Sequence, residues 1–450
     1  MNYSIIIYII GMILKLEAAF MVLPIVTSLI YQETSGFAFL ITIILCLAIG
    51  IPLTWKKPTR KAFYTKEGFV TVALSWIVLS IMGAIPFVIS HSIPNPIDAL
   101  FETVSGFTTT GASILNNVEA LPHCMLIWRS FTHWIGGMGV LVFMMAVVSL
   151  ADGRNMYLMK AESPGPSVGK LVPKIKSTAR ILYLIYFGLT VIQCILLLCG
   201  GMTLFDSLAT SFGTAGTGGF GIKNDSIGGY SPYIQWVVTI FMILFGVNFN
   251  AYYFILFGNA KKAFKMEEVR CYFIIVAVSV AVITIELFRS AVPFANALRD
   301  SSFQVASIIT TTGFSTADFN LWSGTSRTIL VMLMFVGACA GSTGGGMKVS
   351  RFVILFKTVF KELDSYIHPK RIQKLALDGK PIDHDVVRSI NVYFITFTVI
   401  FVGSLLLVSL EGKDLVTNFT AVAATINNIG PGLELAGPTQ NFGHFSILTK

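Results

Sequence analysis

Long stretches of this chain (residues 3–14, 37–53, 70–89, 125–150, 181–198, 234–257, 272–287, 328–339 and 392–410) are mostly apolar. Several reach the roughly 20 residues that cross a bilayer as helix. With 54% hydrophobic and only 12% charged residues over 450 positions, the chain has too little polar surface to cover a soluble globule of its size. It reads as an all-α polytopic membrane protein. The apolar N-terminus carries Lys15 and Glu17 and has no small-residue cleavage site, so a retained anchor helix is expected there.

The net charge of +9 is placed as a topology signal rather than a nucleic-acid patch. Most of the 32 lysines and arginines fall within residues 56–66, 154–180, 261–270 and 348–388. By the positive-inside rule these linkers face the cytoplasm. No nucleic acid partner is expected, and the lipid bilayer is the first partner of the chain. The six cysteines (Cys46, Cys124, Cys194, Cys199, Cys271, Cys339) lie in or beside apolar segments without metal-like spacing and read as inert thiols.

Four short polar stretches interrupt the apolar pattern, each ending in glycine: Thr108-Thr109-Thr110-Gly111, Ala215-Gly216-Thr217-Gly218, Thr310-Thr311-Thr312-Gly313 and Asn427-Asn428-Ile429-Gly430. They recur roughly every 100 residues, which suggests one unit copied four times. Before each lies a helix too short to span, at about 96–107, 204–212, 300–309 and 414–425, with Asp98, Asp206, Asp300 and Asp414 near the starts. An aspartate there accepts unpaired amide hydrogens and suits the positive end of the helix dipole. Non-helical backbone at membrane depth persists only when buried in protein or lining water. The carbonyls and threonine hydroxyls are hard oxygen ligands suited to replacing the hydration shell of an alkali cation. The expected contributors are Thr109, Thr110, Gly111, Gly216, Thr217, Gly218, Thr311, Thr312, Gly313, Asn428, Ile429 and Gly430.

These repeats predict the following division: an N-terminal helix pair (1–54), pore repeat one (68–150), repeat two (178–259), repeat three (270–356) and an incomplete repeat four (386–450). Repeat three contains Gly337-Ala338-Cys339-Ala340-Gly341-Ser342-Thr343-Gly344-Gly345-Gly346, an expensive run of helix breakers. It reads as a flexible break, serving either close helix packing or a mobile gate built on Gly337, Gly341, Gly344, Gly345 and Gly346. A phosphate-binding loop is excluded because Met347 holds the required lysine position and no strand precedes it. Arg129 is costly in a membrane and should find carbonyls or an acid such as Glu102, while His133 on the same helix should make a packing or polar contact.

Ser105-Gly106-Phe107-Thr108-Thr109-Thr110-Gly111, Trp128-Arg129-Ser130, Trp134-Ile135-Gly136-Gly137-Met138-Gly139, Gly216-Thr217-Gly218-Gly219-Phe220 and Gly341-Ser342-Thr343-Gly344-Gly345-Gly346 together resemble the Trk/Ktr/HKT superfamily of potassium transporters, most closely its TrkH-type bacterial subunit. The resemblance covers nearly the whole chain. It implies four pseudo-symmetric helix–pore-loop–helix units around a central pore in the bacterial cytoplasmic (inner) membrane, with potassium as the transported ion and no organic cofactor. It matches the family's filter glycines to Gly111, Gly218, Gly313 and Gly430. It implies further that the glycine-rich run is an intramembrane gating loop, that the protein is a homodimer, and that a cytosolic nucleotide-binding ring regulates it. One departure is that the chain ends at Lys450, where the family would begin the last helix of the fourth unit; that helix is absent from this sequence.

Potassium uptake is therefore the expected function, without catalysis. Two other classes fit these residues less well. An integral-membrane enzyme acting on a lipid-linked substrate would use clustered groups such as Asp383, His384 and Asp385, which read instead as a helix entry. An alternating-access cation symporter would use inverted repeats, whereas these polar stretches all enter from one side.

Overall fold

The structure, a computed structural model, describes residues 2–58, 64–139, 175–371 and 374–450. Among these residues six helices are long and apolar enough to cross a membrane, or seven if one sharply bent pair is a single span. The chain opens with α1 (Tyr3–Phe20) and α2 (Val22–Ile30), which form one 28-residue span, and returns through α3 (Gly36–Thr54).

Four groups follow, each beginning with a long helix and a short one. In the first, α4 (Thr65–Ile89) and α5 (Pro96–Phe107) precede α6 (His123–Met138). The second has α7 (Ile175–Cys199), α8 (Leu204–Ala215), α9 (Pro232–Phe245) and α10 (Phe249–Leu256), then a linking α11 (Ala260–Lys265). The third has α12 (Glu267–Arg289), α13 (Phe294–Ile309), α14 (Gly324–Val336) and α15 (Val349–Ile367). A two-residue hairpin, β1 (Ala376–Leu377) paired antiparallel with β2 (Lys380–Pro381), leads to α16 (His384–Ser409) and α17 (Leu415–Ile426). One apolar cluster joins the N-terminal helices to the first group, and separate clusters fill the second group and the third with the fourth.

Several expectations change. Asp98 and Asp206 do not cap their helices: Asn95 accepts the Ile97 N–H ahead of α5 (2.9 Å) and Thr203 accepts the Asp206 N–H ahead of α8 (3.1 Å), whereas Asp414 caps α17 as expected. The third short helix starts at Phe294, so Asp300 sits inside α13 beside Arg299, its ion-pair partner at 3.1 Å, and not at the helix start. The apolar run 234–257 is not one span but bends by 93° between α9 and α10. The cause is Asn248, whose side chain accepts the Asn250 N–H (2.9 Å) and so starts a new helix. The run 328–339 ends as helix at Val336, because Gly337 turns to φ 65°. The basic segment 154–180 and the end of the first apolar unit at 140–150 lie largely outside the described residues.

The N-terminal pair is fastened to the first group by Glu33, between α2 and α3. Proline precedes α6, so that helix lacks a side-chain cap of its own. Glu33 supplies it from 90 residues away, accepting the His123 N–H (2.7 Å), the Cys124 N–H (3.0 Å) and His123 Nδ1 (2.9 Å). Burial raises the carboxyl's pKa, but these donors outweigh it and hold the group below the ordinary carboxylate range. A depressed folded pKa means that the contribution is complete above the unfolded pKa and is lost as pH falls through the folded value. Glu33→Gln is therefore expected to be less stable than wild type at pH 7 and to show a smaller further drop on acidification below about pH 4. Thermal melts in detergent across that range measure both effects.

Candidate ion-conduction site

Each short helix ends in the same backbone turn. The N–H groups of Thr110, Gly218, Thr312 and Ile429 reach back five residues to the carbonyls of Ser105, Gly213, Ser307 and Ala424, at 2.8, 2.9, 2.8 and 2.8 Å. This is a helix-terminating motif that needs a left-handed residue just before the donor. Here Thr109, Thr217, Thr311 and Asn428 take that conformation, with φ of 56°, 52°, 58° and 58°. Left-handed backbone at three β-branched threonines is strained by roughly 1–3 kcal/mol each, and such strain concentrates at functional sites. The partially negative ends of α5, α8, α13 and α17 lead directly into these turns.

Two residues after each left-handed position comes a glycine with positive φ: Gly111 (78°), Gly219 (78°), Gly313 (86°) and Gly430 (92°). The second position is thus Gly219, and the sequence alignment on Gly218 is one residue out of register. Gly218 corresponds to Thr110, Thr312 and Ile429. It is glycine for another reason, since a Cβ there would lie 2.1 Å from the His133 ring.

The four segments close on one another. A Cβ on Gly111 would lie 2.1 Å from the Gly218 carbonyl oxygen, one on Gly219 1.9 Å from that of Thr312, and one on Gly313 2.1 Å from that of Ile429. From Gly430 the next contact is the Thr110 oxygen at 3.0 Å, which completes the circuit. The Asn428 side-chain amide also donates to the Thr108 carbonyl, joining the fourth segment to the first. All four positive-φ glycines line one cavity of about 150 Å³, whereas Gly218 does not. The other expected residues, Thr109, Thr110, Gly216, Thr217, Thr311, Thr312, Asn428 and Ile429, lie in the turns that lead into these glycines and do not line that cavity. Converging neutral oxygens of this kind can replace a cation's hydration shell.

A buried ion pair braces the first two segments. Arg129 on α6 donates to Glu102 Oε1 through Nη2 (2.6 Å) and Nε (2.8 Å), as the sequence led us to expect. Glu102 also accepts the Ser113 hydroxyl (2.9 Å) and the Ile114 N–H (3.0 Å) just beyond Gly111. Arg129 in turn lies 4.1 Å from the Phe220 ring centroid and donates to the Gly221 carbonyl (3.3 Å). One turn along, His133 Nδ1 donates to the Gly106 carbonyl (2.8 Å), and its Nε2 accepts the Phe220 N–H (3.2 Å). The i, i+4 spacing of Arg129 and His133 on one helix face was the available signal for this shared role.

The glycine-rich run between α14 and α15 lies directly against the third and fourth segments. Gly337, Gly341 and Gly346 have positive φ. Gly344 and Gly345 have none, but a Cβ on them would lie 2.9 Å from the Thr310 oxygen and 2.8 Å from the Asn427 oxygen. The Gly345 N–H donates to Thr311 Oγ1 (2.6 Å), and Lys348 Nζ donates to the carbonyls of Gly344 and Gly345. Cys339 N–H uses the Gly246 carbonyl (3.0 Å) and Gly341 accepts the Phe249 N–H (2.9 Å), so the bend between α9 and α10 and the run satisfy each other's backbone. The run is therefore a bonded loop in this state, where sequence suggested a loose break. Elsewhere, Asp383 is the residue preceding α16 and His384 and Asp385 form its first turn, a helix entry.

Residues 35–448 match the family model described as TrkH, cation transport protein. The chain belongs to the TrkH family of cation transport proteins. It is 36% identical to the Trk system potassium uptake protein TrkH of Salmonella typhimurium over all of this chain and 94% of that relative. It is 33% identical to the Trk system potassium uptake protein TrkG of Escherichia coli K12, over 98% of this chain and 92% of the relative. The crystal structure of the potassium transporter TrkH from Vibrio parahaemolyticus superposes with a TM-score of 0.89 at 31% identity, covering 100% of this chain and 94% of that one. TrkH-family membership makes this a multi-pass membrane transport protein rather than a catalyst.

Proposed function

We propose that this protein takes up potassium across the bacterial cytoplasmic membrane, with the four closed segments as its selectivity filter. The observation that carries the reading is the circuit in which each positive-φ glycine abuts a carbonyl of the next segment. The oxygens of Thr109, Thr110, Gly111, Gly216, Thr217, Gly218, Thr311, Thr312, Gly313, Asn428, Ile429 and Gly430 line the ion path, with Gly219 added as the true second-position glycine. Relatives named as potassium uptake proteins support potassium as the cargo.

The four pore repeats then share one axis, and the loop carrying Gly337, Gly341, Gly344, Gly345 and Gly346 gates its inner side. Its contacts with Thr310, Thr311 and Asn427 support that placement. A homodimer and a cytosolic nucleotide-binding ring complete the proposal. The exposed apolar stripe Phe356, Val359, Phe360, Leu363 and Ile367 on α15 offers a second copy a contact face, and the basic linker 357–388 offers the ring one. Expression in a bacterium lacking potassium uptake tests the central reading: growth at limiting potassium should return, and failure to restore it with protein present in the membrane would overturn the reading.

A further inference from the structure

We propose that Glu268, on the first turn of α12, is the positioning residue that clamps the glycine-rich loop against the third and fourth filter segments; this rests on the gating role given to that loop above. Its carboxylate is buried among three separate pieces of chain. Oε1 accepts the Ala340 N–H (2.6 Å) from inside the loop and the Ser350 N–H (3.1 Å) from just beyond it. Oε2 accepts the Asn248 side-chain amide (3.3 Å) at the bend between α9 and α10. One acid thus ties the loop to the start of α15 and to the bend that the loop leans on.

A carboxylate suits this place because it is acceptor-only and serves several converging N–H donors at once. The Ala340 N–H lies outside any helix and the Ser350 N–H is in the first turn of α15, where no helical carbonyl is within reach, so both amides use Glu268 as their acceptor. Farther along the loop, Lys348 Nζ donates to the carbonyls of Gly344 and Gly345. The clamp also has a route to the cytosolic surface. The adjacent Glu267 accepts the Asp378 N–H (3.1 Å) at the hairpin turn, gives its own N–H to Asp378 Oδ1 (2.6 Å) and pairs with Lys357 on α15. A pull on the hairpin or on α15 therefore reaches the turn of helix that carries Glu268.

The native Cys339 reports on the clamp. It is fully buried within the loop, while Cys46 is fully buried in the N-terminal pair, far along the chain from it. Purified wild type, Glu268→Ala and Glu268→Gln are reconstituted in liposomes without a cytosolic partner. N-ethylmaleimide modification of each cysteine is followed by peptide mass spectrometry beside rubidium flux. Cys339 is expected to react at least about tenfold faster in Glu268→Ala, with Glu268→Gln intermediate, because each retained hydrogen bond to a neutral acceptor is weaker. Cys46 should stay protected, and basal flux should rise. Unchanged Cys339 protection in Glu268→Ala would overturn the clamp. If Cys46 also became reactive in that variant, Glu268→Gln decides by the same comparison. Wild-type flux separately tests potassium uptake, so its absence counts against that reading while the cysteine comparison still judges the clamp.

Discussion

Gly219→Ala is expected to abolish potassium uptake while the protein still reaches the membrane. Two costs fall on one methyl group. At φ 78° an alanine is strained by about 1–2 kcal/mol, and its Cβ would stand 1.9 Å from the Thr312 carbonyl oxygen. Backbone, not a flexible side chain, must then move, and the oxygen that moves belongs to the ring itself. A loss of at least about a hundredfold in rubidium uptake follows from strain and overpacking of this size. Gly218→Ala should also fail, but through the His133 ring, which stands where the new methyl would go. Adding His133→Ala should therefore recover part of the uptake of Gly218→Ala and none of that of Gly219→Ala. The same rescue at both positions would contradict the register assigned here.

Arg129→Met is expected to be the most destabilising single change in the first group. Both charged side chains of the Arg129–Glu102 pair are almost wholly buried. Removing one partner of such a pair costs about 3–5 kcal/mol, because the other charge is left uncompensated. Glu102 would keep only Ser113 and Ile114 as donors, and the brace to Gly221 and Phe220 would go. Arg129→Met combined with Glu102→Gln should regain much of the lost stability, since neither charge remains. Thermal unfolding followed by size-exclusion chromatography measures the series. Equal melting temperatures for Arg129→Met and wild type would show that the pair contributes little.

Features set by short-range chemistry were legible in the sequence. Pro96–Phe107 was bounded correctly, although the residue that caps it is Asn95 and not the expected Asp98. Arg129 pointed to Glu102 because a membrane-buried guanidinium needs an acid. The register of the second segment was not legible, because Gly216-Thr217-Gly218-Gly219 has glycine at three of four positions and only the backbone angles separate their roles. Asp300 misled for a related reason: an acid near a helix start resembles a cap, yet α13 begins six residues earlier. The bend at Asn248 and the bonded state of the glycine-rich loop were hidden because each is satisfied by the other and by Glu268, partners remote in sequence. Local propensity leaves a loose chain at the second, and at the first the break signal of Gly246 and Asn248 was masked by the apolar run around it.

The central claim, that four backbone segments closed by Gly111, Gly219, Gly313 and Gly430 select the ion, is tested most directly by potassium-against-sodium flux through purified protein in liposomes. The account predicts that wild type passes potassium and rubidium well and sodium poorly, and that Gly219→Ala loses the pathway. Equal sodium and potassium flux in wild type, or undiminished selective flux in Gly219→Ala, would contradict it.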